Sequence, residues 1–239
     1  MSEAEYSYER LAEDIWVCTS ENHRFGTDAF LLTDFTKYKK KDIVCELGTG
    51  CGIIPMIMSR VDPPQMIYAV DIQENAIEQL NLGIKKSRAA NIIPVCADLK
   101  VLWDSAPLGN CTLVVCNPPY KAADAGIQSG IMSQKIARHE IMCGIDDVCL
   151  AASRLLRFGG RLCMCNRPER LPDVITAMKN NDIEPKRLRF VSNNPSQAPW
   201  LFLIEGKKGS KPFMNIEKQL YMQGENGYSD EVKRIYRID

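Results

Sequence analysis

The sequence predicts an α/β fold: a mostly parallel sheet with helices on both faces and an antiparallel edge strand. Two observations carry this expectation. Short apolar runs alternate with stretches of helical period along most of the chain, the pattern of parallel strands joined by crossover helices. In addition, the first run ends in the glycine-rich "ELGTGCG" (Glu46 to Gly52), and the next two end in acids, at Asp71 and Asp98. Ligands of open parallel sheets bind at such carboxyl strand ends.

"KDIVCELGTGCG" is an apolar run closed by glycines, and "IIPMIMSRV" continues from it as a helix. "QMIYAVDI" is a second run, followed by "QENAIEQLNLGIKKSRA", whose Ala76, Ile77, Leu80 and Ile84 share one helical face. "NIIPVCADL" and "CTLVVCNPPY" supply the third and fourth runs. The helical stretch "DDVCLAASRLLRF" is expected to close at Gly159 and Gly160, a usual C-terminal signal, and to lead into a fifth run, "GRLCMCN". "PERLPDVITAMKNN" reads as a further helix. The last two runs, "RLRFVSNN" and "PWLFLIEGKKG", follow each other with no helix between them, which predicts the antiparallel edge. Both ends of the chain are less periodic and are expected to wrap the core or fray. The expected organisation is one domain over 1–239, with an N-terminal covering segment 1–40, a core 41–211 and a C-terminal tail 212–239. Its longest loop, from Lys121 to about Ile145, has the length of a binding loop.

A chain of 239 residues with 45% hydrophobic and 25% charged residues suffices for one large core. No window approaches the roughly 18 apolar residues of a membrane span. The acidic, polar start "MSEAEYSYERLAED" lacks the regions of a signal peptide, so a cytoplasmic location is expected. Ten cysteines are scattered without a CxxC pair, several inside strand-like runs. Cys163 and Cys165 would share one face of a strand, yet they read as small buried hydrophobes, and no metal is assigned. The net charge is +0, but twelve Lys or Arg stand against five Asp or Glu between Ala151 and Lys211. That excess is the expected phosphate-binding surface, with Arg187 and Arg189 as candidates.

Three glycines between a strand and a helix let the backbone turn tightly and approach a ligand, with free amides at the helix start. The spacing is shorter than the G-x-G-x-x-G fingerprint and follows an acid, Glu46, which suits a ligand with an amino-acid end. Asp71 is placed to accept from two ribose hydroxyls, and Asp98 from an adenine amino group. Both acids are equally able to cap the helices that follow them.

These residues carry a resemblance. "ELGTGCG", "AVDIQENAIEQL", "CADL" and "NPPY" resemble the successive motifs of S-adenosylmethionine-dependent methyltransferases with a seven-stranded Rossmann-like sheet, over about Lys41 to Gly206. More narrowly, "HRFGTDAFLLTDF" and "IARHEI" resemble the bacterial tRNA(Val) adenine-N(6) methyltransferases, which modify an adenosine beside the anticodon. The resemblance implies S-adenosylmethionine as cofactor and tRNA as partner. Its cofactor-binding set is Thr27, Glu46, Gly48, Thr49, Gly50, Gly52, Asp71, Ile72, Asp98, Leu99 and Asn117. The catalytic set is Asn117, Pro118, Pro119 and Tyr120. Asn117 offers a side-chain carbonyl and Pro118 a backbone carbonyl to the target amino hydrogens, the prolines hold both rigid, and Tyr120 stacks on the base. Substrate contacts are implied for Tyr120, Lys121, Arg138, His139 and Arg167, although Arg167 is as well suited to a salt bridge with Glu169. Thr27 either covers the cofactor or, like Asp28, caps the following helix.

Two other functions use the same motifs. Protein methyltransferases acting on a glutamine amide share "NPPY" but place a helical domain ahead of the glycine loop, where this sequence has about 40 residues. A non-enzymatic RNA-binding module would retain the fold without needing Asn117, Asp71 and the glycines.

Overall fold

The computed structural model describes residues 6–20, 25–101, 110–118 and 144–238. Strands β1 (Ser7–Ala12) and β2 (Ile15–Thr19) form an antiparallel hairpin ahead of helix α1 (Asp28–Thr36). Strand and helix then alternate through β3 (Ile43–Leu47), α2 (Ile53–Met58), β4 (Met66–Asp71), α3 (Glu74–Ser87), β5 (Ile92–Cys96) and β6 (Cys111–Cys116). After α4 (Ile145–Leu155) come β7 (Leu156–Asn166), a 3-10 turn at Pro168–Arg170, α5 (Leu171–Asn180), β8 (Ile183–Ser192) and β9 (Leu201–Lys208). Two-residue strands β10 (Asn215–Ile216), β11 (Leu220–Tyr221), β12 (Gln223–Gly224) and β13 (Gly227–Tyr228) precede α6 (Asp230–Tyr236).

The main sheet runs β10-β8-β9-β7-β6-β3-β4-β5, with β11 also on β8. The β3, β4, β5, β6 and β7 ladders are all parallel. At the other side β9 is antiparallel to both β7 and β8, so the antiparallel pairing expected from the last two runs is there, with β9 turned back into the sheet between its neighbours. Because successive side chains of a strand face opposite ways, the strands feed two cores. Val44, Val115, Cys163, Cys165 and Leu203 pack with α1, α2 and α6, whereas Cys45, Val114, Met164 and Phe202 pack with α4 and α5. Phe202 is fully buried, and its truncation to Ala is expected to cost roughly 3–5 kcal/mol.

One local feature departs from the sequence reading, and at both chain ends the structure takes the first of the two expected alternatives, wrapping the core. Helix α4 stops at Leu155, and the Gly159–Gly160 pair lies inside β7 as a bulge. Leu156 turns extended (φ −73°, ψ 136°) to pair with Cys111. A Cβ on Gly160 would stand 3.0 Å from Arg157 O and 3.1 Å from Cys111 O, so sheet pairing, not a helix cap, requires this glycine. The N-terminal segment is an ordered hairpin docked on α3. Ser87 Oγ accepts from Trp16 N at 2.8 Å, Gln79 Nε2 donates to Cys18 O at 3.3 Å, and Lys86 Nζ lies 4.3 Å and 4.6 Å from the Tyr8 and Trp16 ring centres. The tail closes on α1: Arg234 pairs with both oxygens of Asp34 at 3.0 and 3.3 Å.

Among the described residues, no helix is long and apolar enough to cross a membrane, and no three His, Cys, Asp or Glu side chains cluster as metal ligands.

Candidate active site

The carboxyl edge of the sheet gathers the polar residues. At the end of β3 the chain enters the glycine loop, where Gly48, Gly50 and Gly52 take φ of 75°, 54° and 79°, a region that favours glycine. The loop is tied to β4 by Gly48 N and Thr49 N, which both donate to Val70 O at 2.9 Å. Gly52 is fixed by packing as well, since a Cβ there would stand 2.3 Å from Leu80 Cδ1. Gly48 and Gly50 face open space, with nothing within 4 Å of an added Cβ. The loop is therefore a cradle with room beside its backbone.

Asp71 ends β4 and is only 7% exposed. Its Oδ2 accepts from Gly50 N at 2.8 Å and its Oδ1 from Gln73 N at 3.0 Å. Two backbone donors thus fix the carboxylate plane, and carboxylate oxygens can each accept more than one bond. Ile72 next to it is 42% exposed, an apolar side chain at the rim. Asp98 accepts from Lys100 N at 2.9 Å within a turn, and Leu99 packs against the α4–α5 core. Glu46 is buried, with Thr49 Oγ1 donating to its Oε2. Burial pushes its carboxyl well above the usual carboxylate range, against the opposing effect of the Thr49 hydrogen bond.

Asn117 and Pro118 follow β6. The parallel register, with Val115 opposite Cys163 and Cys116 opposite Met164, sets Asn117 beside Cys165, whose thiol donates to Asn117 Oδ1 at 3.1 Å. Pro119, Tyr120, Lys121, Arg138 and His139 lie outside the described residues. Arg167 follows β7; its Nη1 donates to Trp200 O at 3.2 Å and its guanidinium sits 5.9 Å from the Trp200 ring centre. Cys165 and Trp200 were not singled out as site residues in the sequence. One reads as a hydrophobe and the other is distant along the chain.

Helix α1 ends near the start of β3, so it runs against the parallel strands and opens at the carboxyl edge. Thr27 precedes it with an exposed side chain that makes no capping bond; Thr27 Oγ1 donates to Asp28 Oδ1 at 3.3 Å. The C-terminal carbonyls of α1 receive two arginines. Arg161 Nη1 donates to Thr36 O at 2.8 Å and Arg187 Nη2 to Phe35 O at 3.2 Å, and the buried Glu205 Oε2 accepts from both, at 2.8 and 2.9 Å. Cations at a helix C-terminus complement its dipole. The start of α1 is braced by the tail: Phe30 packs on Phe25 and Tyr236, with ring centres 6.2 and 5.2 Å apart, and Tyr228 lies 5.3 Å from Tyr236.

Two expected phosphate contacts need correction here. Arg187 is committed to Glu205, Glu217 and Phe35 O, and Arg189 holds both oxygens of Glu231 at 2.9 and 2.8 Å. The charge count over this stretch left out Glu217 and Glu231, which lie beyond it and up to 42 residues from the cations they hold.

The methyltransferase small domain family matches residues 23–179. The chain is 26% identical over 209 residues to a tRNA1(Val) (adenine(37)-N6)-methyltransferase of Parabacteroides distasonis, covering 84% of this chain and 86% of that protein. It is 26% identical over 184 residues to the protein of the same name in Cronobacter sakazakii, covering 76% and 74%. Among solved structures, a predicted O-methyltransferase from Agrobacterium tumefaciens superposes with a TM-score of 0.71 at 18% identity, covering 88% of this chain and 95% of that one. A tRNA m1G37 methyltransferase of M. jannaschii gives 0.55 at 16% identity, covering 88% and 59%. With the family match spanning well over half of its length, and with glycine cradle, edge acids and strand-end asparagine in the arrangement described, the chain belongs to the methyltransferase small domain family.

Proposed function

We propose that the protein is an S-adenosylmethionine-dependent N-methyltransferase that modifies the exocyclic amino group of an adenine in tRNA, in the anticodon loop. The observation that carries this reading is the placement of Asn117 at the end of β6, one strand from the open glycine cradle that ends β3, where Cys116 pairs with Leu47. The residues fit such a cofactor: space beside Gly48 and Gly50, an oriented carboxylate at Asp71 for ribose hydroxyls, and the buried Glu46 near the cradle. When bound, S-adenosylmethionine supplies a methyl group activated by its sulfonium.

An adenine N6 amine is a poor nucleophile because its lone pair is delocalised into the ring. Asn117 Oδ1 and the Pro118 carbonyl accept its two hydrogens, which localises the lone pair and aims it away from them, into the space above the cradle. Neither group needs to remove a proton before attack, because the nitrogen–methyl bond forms as the sulfur–methyl bond breaks and the resulting protonated amine then loses its proton to solvent; their contribution is positioning and electrostatic preorganisation. Tyr120 stacks on the base, and Lys121, Arg138, His139 and Arg167 contact the nucleotides around it. The names of the two relatives above, both tRNA adenine methyltransferases, support this choice of substrate.

The test is methylation of an unmodified anticodon stem-loop containing a loop adenine, with nucleoside mass spectrometry of the product. N6-methyladenosine is expected. Methyl transfer to another atom or nucleoside, or none to any tRNA while the protein binds the cofactor, would overturn the reading.

A further inference from the structure

We propose that Arg167 and Trp200 form a second nucleotide subsite, which holds the RNA residue next to the target adenine; this rests on the function proposed above. The two side chains occupy the half of the carboxyl edge that the glycine cradle does not. In the strand order β9-β7-β6-β3, Trp200 immediately precedes β9, Arg167 follows β7 and Asn117 follows β6. With strands about 4.8 Å apart, a group at Arg167 stands about one nucleotide's thickness or a little more from the target position at Asn117.

The pair is preorganised. Trp200 engages Arg167 twice, through its carbonyl at 3.2 Å and through its ring, 5.9 Å from the guanidinium. Two contacts from one residue fix the plane of the guanidinium, and a planar cation both stacks on bases and bonds phosphate oxygens. Trp200 is itself held in place, its ring packed against the core beneath the sheet edge.

The loop from Asn193 to Pro199 that leads into Trp200 contains no Asp or Glu to repel a phosphate. The loop carries Asn193, Asn194, Ser196 and Gln197, and Asn193, Ser196 and Gln197 are exposed.

The probe is the unmodified anticodon stem-loop, and a matched stem-loop with an abasic residue on each side of the target in turn. Trp16→Phe with Trp103→Phe leaves Trp200 as the only indole. Saturable fluorescence quenching by the intact stem-loop is expected, lost with one of the two abasic versions. Arg167→Ala and Arg167→Lys should each weaken stem-loop binding about tenfold, the scale of one stacked base, with cofactor affinity unchanged. Lys should fail like Ala because a point charge does not stack. Trp200→Phe should fall between wild type and Arg167→Ala. If the stem-loop binds and is methylated but neither abasic version, nor Arg167→Ala, changes its affinity, the subsite does not exist. If the wild-type protein methylates no stem-loop or tRNA, the function proposed above fails first and the subsite with it.

Discussion

The two halves of the carboxyl edge are built differently. On the β3–β4–β5 side the polar surface is mostly backbone: glycine amides tied to Val70 O, and an Asp71 carboxylate that is itself held by the amides of Gly50 and Gln73. On the β6–β7–β9 side it consists of side chains placed beside each other by strand register, Asn117 on Cys165 and Arg167 on Trp200. A backbone cradle suits a ligand that never changes, because it is set by the fold and by glycines whose left-handed backbone is strained for most other residues. Side chains on separate strands suit a substrate whose recognition has to be specific, since each is exchanged by one mutation without disturbing the sheet.

The sharpest way to separate the halves is Asn117→Ala. Loss of one preorganised hydrogen-bonding group should lower single-turnover methylation of the stem-loop at saturating cofactor about 100-fold or more and weaken cofactor binding by calorimetry less than Asp71→Ala does; a wild-type rate would make the asparagine only part of a turn. Asp71→Ala should do the reverse. Loss of charge-assisted bonds predicts at least about tenfold weaker cofactor binding, ~1.4 kcal/mol, together with a lower melting temperature, because the Gly50 and Gln73 amides lose their acceptor. RNA binding should not move.

Glu46 offers a smaller, pH-dependent effect. Its carboxyl lies above the usual range because burial opposes its charge, so the folded protein without ligand holds this proton more tightly than the unfolded chain does. The resulting contribution to stability is full below the usual carboxylate range and is lost as pH rises through the higher folded value. Glu46→Gln should remove that loss, so that wild type falls relative to the variant by on the order of 2–4 °C for each kcal/mol, read by thermal melts across pH. Parallel curves would sink the assignment. The smallest effect is expected at Cys165. Cys165→Ser keeps a donor for Asn117 Oδ1 and should keep the rate, whereas Cys165→Val should slow turnover roughly threefold, as for one net hydrogen bond, at unchanged cofactor affinity.

Most of this edge is legible in the sequence because its determinants are local. An apolar run followed by glycines has to leave the sheet there, and Asp71 and Asp98 follow their strands directly. Helix α3 is equally plain from the spacing of Ala76, Leu80 and Ile84. What chain-local reading misses depends on neighbours that are distant in sequence. Gly159 and Gly160 look like a helix stop, but Leu156 pairs with Cys111, 45 residues earlier, and strand pairing overrides the helical signal. Arg187 and Arg189 look like free cations, but Glu205, Glu217 and Glu231 meet them across the fold. The sequence by itself determined the alternation of elements, the glycine cradle and the strand-end acids, because hydrophobic period and backbone freedom act over a few residues. Only the tertiary structure decided which side chains become neighbours on adjacent strands, Cys165 with Asn117 and Trp200 with Arg167, because register between strands is set by packing of the whole sheet and leaves no mark at either position alone.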